Sequence, residues 1–364
     1  MNAYKFHNQN TLYTNSKKKQ TFDIHTKQHK MKSQLKISLF LFSLLITTSS
    51  LLTLSLAAEL CHPNDKNALL EIKAHLGPNT TFFSSWQPNT DCCKTWYNVG
   101  CDNQTNRVKY LTIGQNNELI GQIPPIVGQL TGLEVLYFND MPGLTGLIPS
   151  SISNLVNLQD LEFFRTNLTG SIPQSLYRLK KLNILDLSEN KFNGLIPASL
   201  SRIPNLQKLT LQKNQLSGSI PESFSSFKNL ALQVSDNNLS GPIPKSLSQA
   251  GFSWLDLSNN QFIGDASFLF RNPKLILIYL RNNAFSFDFS NVVFNSRLQG
   301  LDVSHNMIYG SLPRQLSQLP LQVFNVSYNQ LCGPVPTGKW LTRFGADSFE
   351  NNKCLCGGPL PACK

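Results

Sequence analysis

Between residues 108 and 331 one phrase of 23 to 25 residues is written ten times. "LNILDLSENKFNGLIPASLSRIPN" from Leu182 is followed by "LQKLTLQKNQLSGSIPESFSSFKN" from Leu206. Apolar residues hold positions 1, 4, 6 and 11, Asn holds 9, Gly 13, an apolar residue 15 and Pro 16. Starts fall at residues 108, 133, 158, 182, 206, 229, 252, 275, 298 and 321. A unit this short cannot bury its own apolar face, so its copies must stack into a solenoid with one continuous core.

Each position has a physical task. Positions 4 and 6, such as Leu185 and Leu187, alternate with polar neighbours as a half-buried strand does. Successive strands stack in parallel at roughly 4.8 Å, so ten make an inner sheet about 43 Å long. Asn190, Asn214, Asn237, Asn260, Asn283, Asn306 and Asn329 hold position 9, where a buried amide satisfies the backbone of each turning coil and forms a ladder. Thr166 takes that place in repeat three, and the first two repeats carry insertions there. Gly146, Gly170, Gly194, Gly218, Gly241, Gly310 and Gly333 suit a close turn. The prolines after them open extended or early-helical segments on the convex side. Repeats seven and eight depart from this, with Ala266-Ser267 and Phe289-Ser290 at the apolar–Pro pair. The period and pattern are those of a leucine-rich repeat. The expected fold is an α/β solenoid, a right-handed superhelix of ten such repeats with a parallel concave β-sheet and disulfide-stapled caps at both ends.

The flanks fix the compartment. Residues 1–36 hold eight lysines and one aspartate, so of the net +11 only +4 belongs to 37–364, too little to support a nucleic-acid partner. Ile37 to Ala58 carries no charge, follows Lys32 and Lys36, and ends in small residues. That reads as a cleaved signal peptide within an extension over 1–58, opened by Met31. Eight cysteines follow in two groups, Cys61, Cys92, Cys93 and Cys101, then Cys332, Cys354, Cys356 and Cys363. An even number behind an export signal reads as disulfides in two caps, 59–107 and 332–364, and zinc is the disfavoured rival. In the first cap Asp65 suits a helix N-cap, with Ala68, Leu69, Ile72 and Leu76 on one face and Trp86 and Trp96 covering the first repeat. Neither a second apolar span nor a kinase-like segment follows, so a secreted protein without a membrane span is expected rather than a receptor.

"LxGxIP" repeats bracketed by "LCHPNDKNALLEIK", "DCC…W…C", "GDAS", "NVSYNQLCGPVPTG" and "NKCLCGGPLPACK" resemble the polygalacturonase-inhibiting proteins of plant cell walls, over Cys61 to Lys364. The resemblance implies disulfides Cys61–Cys92, Cys93–Cys101, Cys332–Cys354 and Cys356–Cys363, and a second, smaller sheet near positions 12–15. It also implies an apoplastic protein of plant defence. Such a protein binds and inhibits endopolygalacturonases of fungi, in some members of insects or bacteria, through the concave face. Some members also bind pectin (homogalacturonan).

Position 5 points outward between the two core leucines and reads Thr112, Tyr137, Glu162, Asp186, Thr210, Gln233, Asp256, Tyr279, Asp302 and Asn325. Glu162, Asp186, Asp256 and Asp302 make a broken acidic stripe able to imitate the polyanion that such enzymes bind, unless they are solvated repeat consensus. Tyr137, Phe164, Trp254, Tyr279 and Tyr328 are expected as exposed anchors, with packing on the next strand as the alternative. Arg165, Lys213 and Arg281 face neighbouring acids or pectin carboxylates, and His305 is a lone surface histidine. Sequons at Asn79, Asn103, Asn167 and Asn238 fit an exported glycoprotein. A fifth, Asn325, lies mid-strand, where a glycan would obstruct binding.

An enzyme is not expected. Only His62, His75 and His305 follow the leader, no hydrolase or phosphate-loop motif occurs, and no cofactor or metal is called for. Asp186 and Asp256 sit three strands apart, about 14 Å, too far for a glycosidase pair. The rivals are binding modules for a developmental peptide or receptor, or for ice. The mixed charges and aromatics of positions 5 and 8 disfavour a regular ice-matching array.

Overall fold

A computed structural model describes residues 61–364. The extension and its expected signal peptide lie outside the described residues. Ten parallel strands, one per repeat from Val108–Gly114 to Val323–Asn325, form the inner sheet. The first cap adds an eleventh, Val99–Cys101, antiparallel to the first repeat. Pairing keeps repeat register throughout: Tyr137 sits opposite Glu162, Glu162 opposite Asp186, and so on to Asp302 opposite Asn325. Position 5 is therefore a single column.

The asparagine ladder forms as expected. Asn237 donates to the carbonyls of Val234 and Ser235 in its own turn and of Leu211 one turn below, and its oxygen accepts from Leu216 N–H. Thr166 caps the ladder by donating to Asn190. One rung lies beyond the tenth repeat. Asn352, in the C-terminal cap, donates to Val326, Phe349 and Glu350, so the cap continues the coil it closes.

The outer sheet spans positions 10–14, earlier than 12–15, because pairing begins as soon as the ladder asparagine has turned the chain, as in Lys191–Leu195. Eight strands pair from Ile120–Gln122 to Ala284–Phe285, and a separate set of three follows, ending in Cys354–Cys356. The break comes where repeat eight replaces its turn glycine with Phe287. Phe287, Phe289 and Phe294 surround Phe270 at 5.3–6.1 Å between centroids, filling the volume that Ile-Pro fills elsewhere. Convex segments are 3₁₀ helices, such as Ala198–Arg202 after Pro197, rather than α-helices.

All four implied disulfides are present. The sulfurs of Cys61, Cys92 and Cys93 cluster because they belong to two of these bridges. In the cap helix Pro63–Leu76, Asp65 does not act as N-cap; His62 does, its ring nitrogen accepting from Asn64 N–H. Asp65 is the third residue of the helix, three positions past the N-cap, and so too deep in the first turn for that task. It is fully buried, takes two hydrogen bonds from Arg107 at 2.8 Å and accepts a third from Val108 N–H, which locks the cap to the first strand. Trp86 and Trp96 are buried and stacked at 5.2 Å, as the sequence suggests.

Candidate concave-face binding site

The column at position 5 has a structural duty that its composition conceals. Asp186 accepts hydrogen bonds from the N–H and hydroxyl of Ser188, Asp302 does the same with Ser304, and Asn325 with Ser327. Asp256 accepts from Ser258 N–H at 3.0 Å. Each acid bonds to the backbone two residues on and steadies the end of its strand. The Asp-x-Ser spacing carries that signal, and reading the acids only as outward charge missed it.

Burial corrects the expected contact set. Asp186 is only 9% exposed and lies 3.5 Å from Lys208, and Gln233, at 8%, is buried against Thr210; neither offers a free surface. Tyr137, Phe164, Trp254 and Tyr279 are half-buried rather than exposed, because the next strand, one repeat away, covers one side of each ring. The Tyr137 hydroxyl reaches Asp160 at 3.3 Å, and Trp254 meets Tyr279 edge-on at 6.4 Å. Tyr328 is exposed as expected and stacks on His305 at 4.1 Å; Arg281 is exposed too. Tyr110 and Val323, position-3 residues at the two ends of the sheet, are well exposed and were not anticipated.

Position 8 forms a second column along the sheet edge. All ten of its residues, Gln115 to Tyr328, adopt the left-handed backbone conformation with φ between 49° and 56°. No glycine marks the position, so local sequence gave no warning of this. In repeats two to five it is a chain of ion pairs: Asp140–Arg165 at 2.9 Å, Arg165–Glu189 at 3.0 Å and Glu189–Lys213 at 2.8 Å. Lys213 and Arg165 hold Glu189 below its usual carboxylate range. Arg165 also lies over the Phe164 ring at 4.6 Å. Both cations therefore balance neighbouring acids.

Electrostatics differ along the face. Burial, then the nearby Glu162 and Asp160, push the Tyr137 hydroxyl up to about 12. Burial likewise raises Glu162 and Asp256 above the usual carboxylate range, and raises Tyr279, which stands between Asp256 and Asp302. The indole N–H of Trp254 is buried with no protein acceptor. Among the described residues no cation forms an ion pair with Asp256 or Asp302.

Comparison with known proteins narrows the family. "Leucine rich repeat N-terminal domain" matches residues 62–102 and "Leucine rich repeat" matches 164–216. A polygalacturonase inhibitor of Pyrus communis is 46% identical over 128 residues, 35% of this chain and 37% of that protein. One of Vitis vinifera is 46% identical over 123 residues, 32% and 36%. The crystal structure of a plant ice-binding protein superposes with a TM-score of 0.80 at 45% identity, over 84% of this chain and 98% of that one. The chain is a leucine-rich-repeat protein of the plant type, similar over part of its length to polygalacturonase inhibitors. The matched stretch spans little more than a third of the pear and grapevine relatives. The same solenoid serves a receptor-kinase ectodomain of Arabidopsis thaliana, solved with Casparian strip integrity factor 2, at 28% identity and a TM-score of 0.69 over 80% of this chain and 36% of that one. Among the described residues no helix is long and apolar enough to cross a membrane.

Proposed function

We propose that this chain is a secreted, non-catalytic plant-defence protein that binds endopolygalacturonases on its concave sheet and inhibits them. The observation that carries this reading is the unpaired patch of Trp254, Asp256, Tyr279 and Asp302, on a scaffold whose relatives are named polygalacturonase inhibitors. Half-buried aromatic rings flanked by carboxylates without cations suit the basic rim of an enzyme that binds a polyanion. Glu162 extends the acidic surface toward repeat three. Arg281, His305 and Tyr328 form its exposed C-terminal border. A panel of fungal, insect and bacterial polygalacturonases, assayed for reducing-sugar release with and without purified protein, tests the reading. Inhibition lost in Trp254→Ala supports it, and full activity of every enzyme in the panel sinks it.

Pectin binding fits a different surface from Arg165 and Lys213, whose charges are already paired. Lys180, Lys181, Arg202, Lys228 and Lys274 are exposed on the edge where the 3₁₀ segments lead back to the strands, and none forms an ion pair among the described residues. Lys180 donates to the Arg202 carbonyl at 2.8 Å, and Lys274 donates to the Lys228 carbonyl two repeats earlier. A row of one sign suits a polyuronate, and its affinity for polygalacturonate should fall steeply with salt.

The superposition on an ice-binding protein raises ice as a rival ligand, which the side chains of position 8 fit less well. Position 8 runs through an acid–base chain, then Asn259 and Asn282, then a His–Tyr stack, and so lacks the repetition that a lattice would match. Thermal hysteresis in a freezing assay would favour ice over enzyme.

A further inference from the structure

The outer sheet carries an apolar ridge that the binding reading leaves unused. Leu147 and Leu195 are 62% and 66% exposed, the residues that follow the turn glycines of repeats two and four. Their side chains lie over Gly170 and Gly218 of the next repeats, so close that a Cβ at either glycine would collide with a leucine methyl. These two glycines are kept for that approach as well as for their left-handed φ of 78° and 77°. With Ile120 and Ile263 exposed toward the two ends of the same sheet, the leucines form the middle of an apolar line across a face that also carries Thr145, Ser171, Asn193, Ser217 and Ser219, a surface that would normally seek cover.

Two of the sequons stand beside it. Asn238, in Asn238-Leu239-Ser240, pairs across the sheet with Ser217, which pairs in turn with Leu195, so asparagine and leucine share one row two strands apart. Asn167, in Asn167-Leu168-Thr169, pairs with Thr145, two residues before Leu147, on the strand that also holds Gly170. Side-chain alternation puts both asparagines on the outward face, since Leu168 and Leu239 beside them are buried. Asn79 and Asn103 lie in the N-terminal cap, before the first repeat. Asn325 commits its side-chain oxygen to Ser327 on the inner sheet.

We infer that N-linked glycans on Asn167 and Asn238 cover the ridge formed by Leu147 and Leu195 and keep the outer sheet out of protein–protein contact. The four disulfides are consistent with passage through the oxidising compartment where such glycans are added. In the transfer, the amide nitrogen forms a C–N bond to the anomeric carbon of a lipid-pyrophosphate-linked oligosaccharide. The C–O bond to the pyrophosphate breaks, the lipid pyrophosphate leaves, and one amide proton passes to a base of the transferring enzyme. The second amide hydrogen stays on nitrogen, so the bond from Asn167 to the Pro142 carbonyl can be kept. A sugar chain offers C–H faces to the leucines and hydroxyls to water, which an apolar protein partner would not.

The test uses full-length protein secreted from a plant or yeast host and does not depend on inhibition. Peptide mass mapping should find Asn167 and Asn238 occupied, and sedimentation should find a monomer. Asn167→Gln/Asn238→Gln, and separately the folded wild type trimmed by an endoglycosidase, should bind severalfold more of an apolar fluorescent dye and self-associate. Leu147→Ser/Leu195→Ser should reverse both effects in trimmed protein, whereas Asn79→Gln/Asn103→Gln should leave wild-type behaviour intact. An unoccupied Asn167 or Asn238 overturns the inference. So does trimmed protein that stays monomeric with unchanged dye binding, or a failure of the serine substitutions to reverse the effect.

Discussion

From Asp140 to Lys213 the edge of the inner sheet is a closed chain of opposite charges, whereas from Trp254 to Asp302 two carboxylates and two aromatic rings share the sheet with no cation paired to either acid among the described residues. The halves have the same backbone, repeat and strand register, so their contrast comes from side chains alone. In the first half each charge along that edge already has a partner, and a visiting protein must break a pair to use one. In the second, Asp256 and Asp302 have no ion-pair partner among the described residues, and it is this missing cation, rather than the burial that raises Glu162 and Tyr137 as well as Asp256 and Tyr279, that leaves their charge open to a partner.

The sharpest way to break the contrast is to remove its aromatic rings. Trp254→Ala and Tyr279→Ala should each weaken polygalacturonase binding by about 2–4 kcal/mol, read by titration calorimetry, with little loss of thermal stability. If both variants bind as wild type does, the second half is not the contact.

A charge reversal in the first half should act on folding instead. Asp186→Lys leaves the N–H and hydroxyl of Ser188 without their acceptor and sets a second cation beside Lys208. The cost should be about 1–3 kcal/mol in denaturant unfolding.

Titration should then reveal the buried charge of the second half. The folded state holds a proton on Asp256 more readily than the unfolded chain does, because burial raises its pKa from 3.8. Stability from this group is therefore greatest below that ordinary value and is lost as pH rises through the raised one. Asp256→Asn keeps an acceptor for Ser258, as Asn325 does for Ser327, and removes the buried charge. Its Tm should exceed that of wild type at pH 7, and the gap should close as pH falls toward 4.

The smallest effect belongs to the paired chain. Arg165→Ala should barely move the melting temperature, and less still in high salt, because the pairs it breaks are exposed. It should leave enzyme affinity nearly unchanged.

Sequence alone determined the stack: period, strand positions, ladder asparagines and turn glycines all follow from an in–out pattern that each repeat states for itself. The paired caps were legible through their family motifs. Tertiary structure decided what each outward residue is free to do. Whether Asp186 is buried, Arg165 paired or Leu195 bare depends on the strands above and below, some 22 to 25 residues away in sequence. The left-handed column at position 8 and the added rung at Asn352 belong to the same class. A repeat fixes which way a side chain points, and only the stacked neighbour fixes what it meets there.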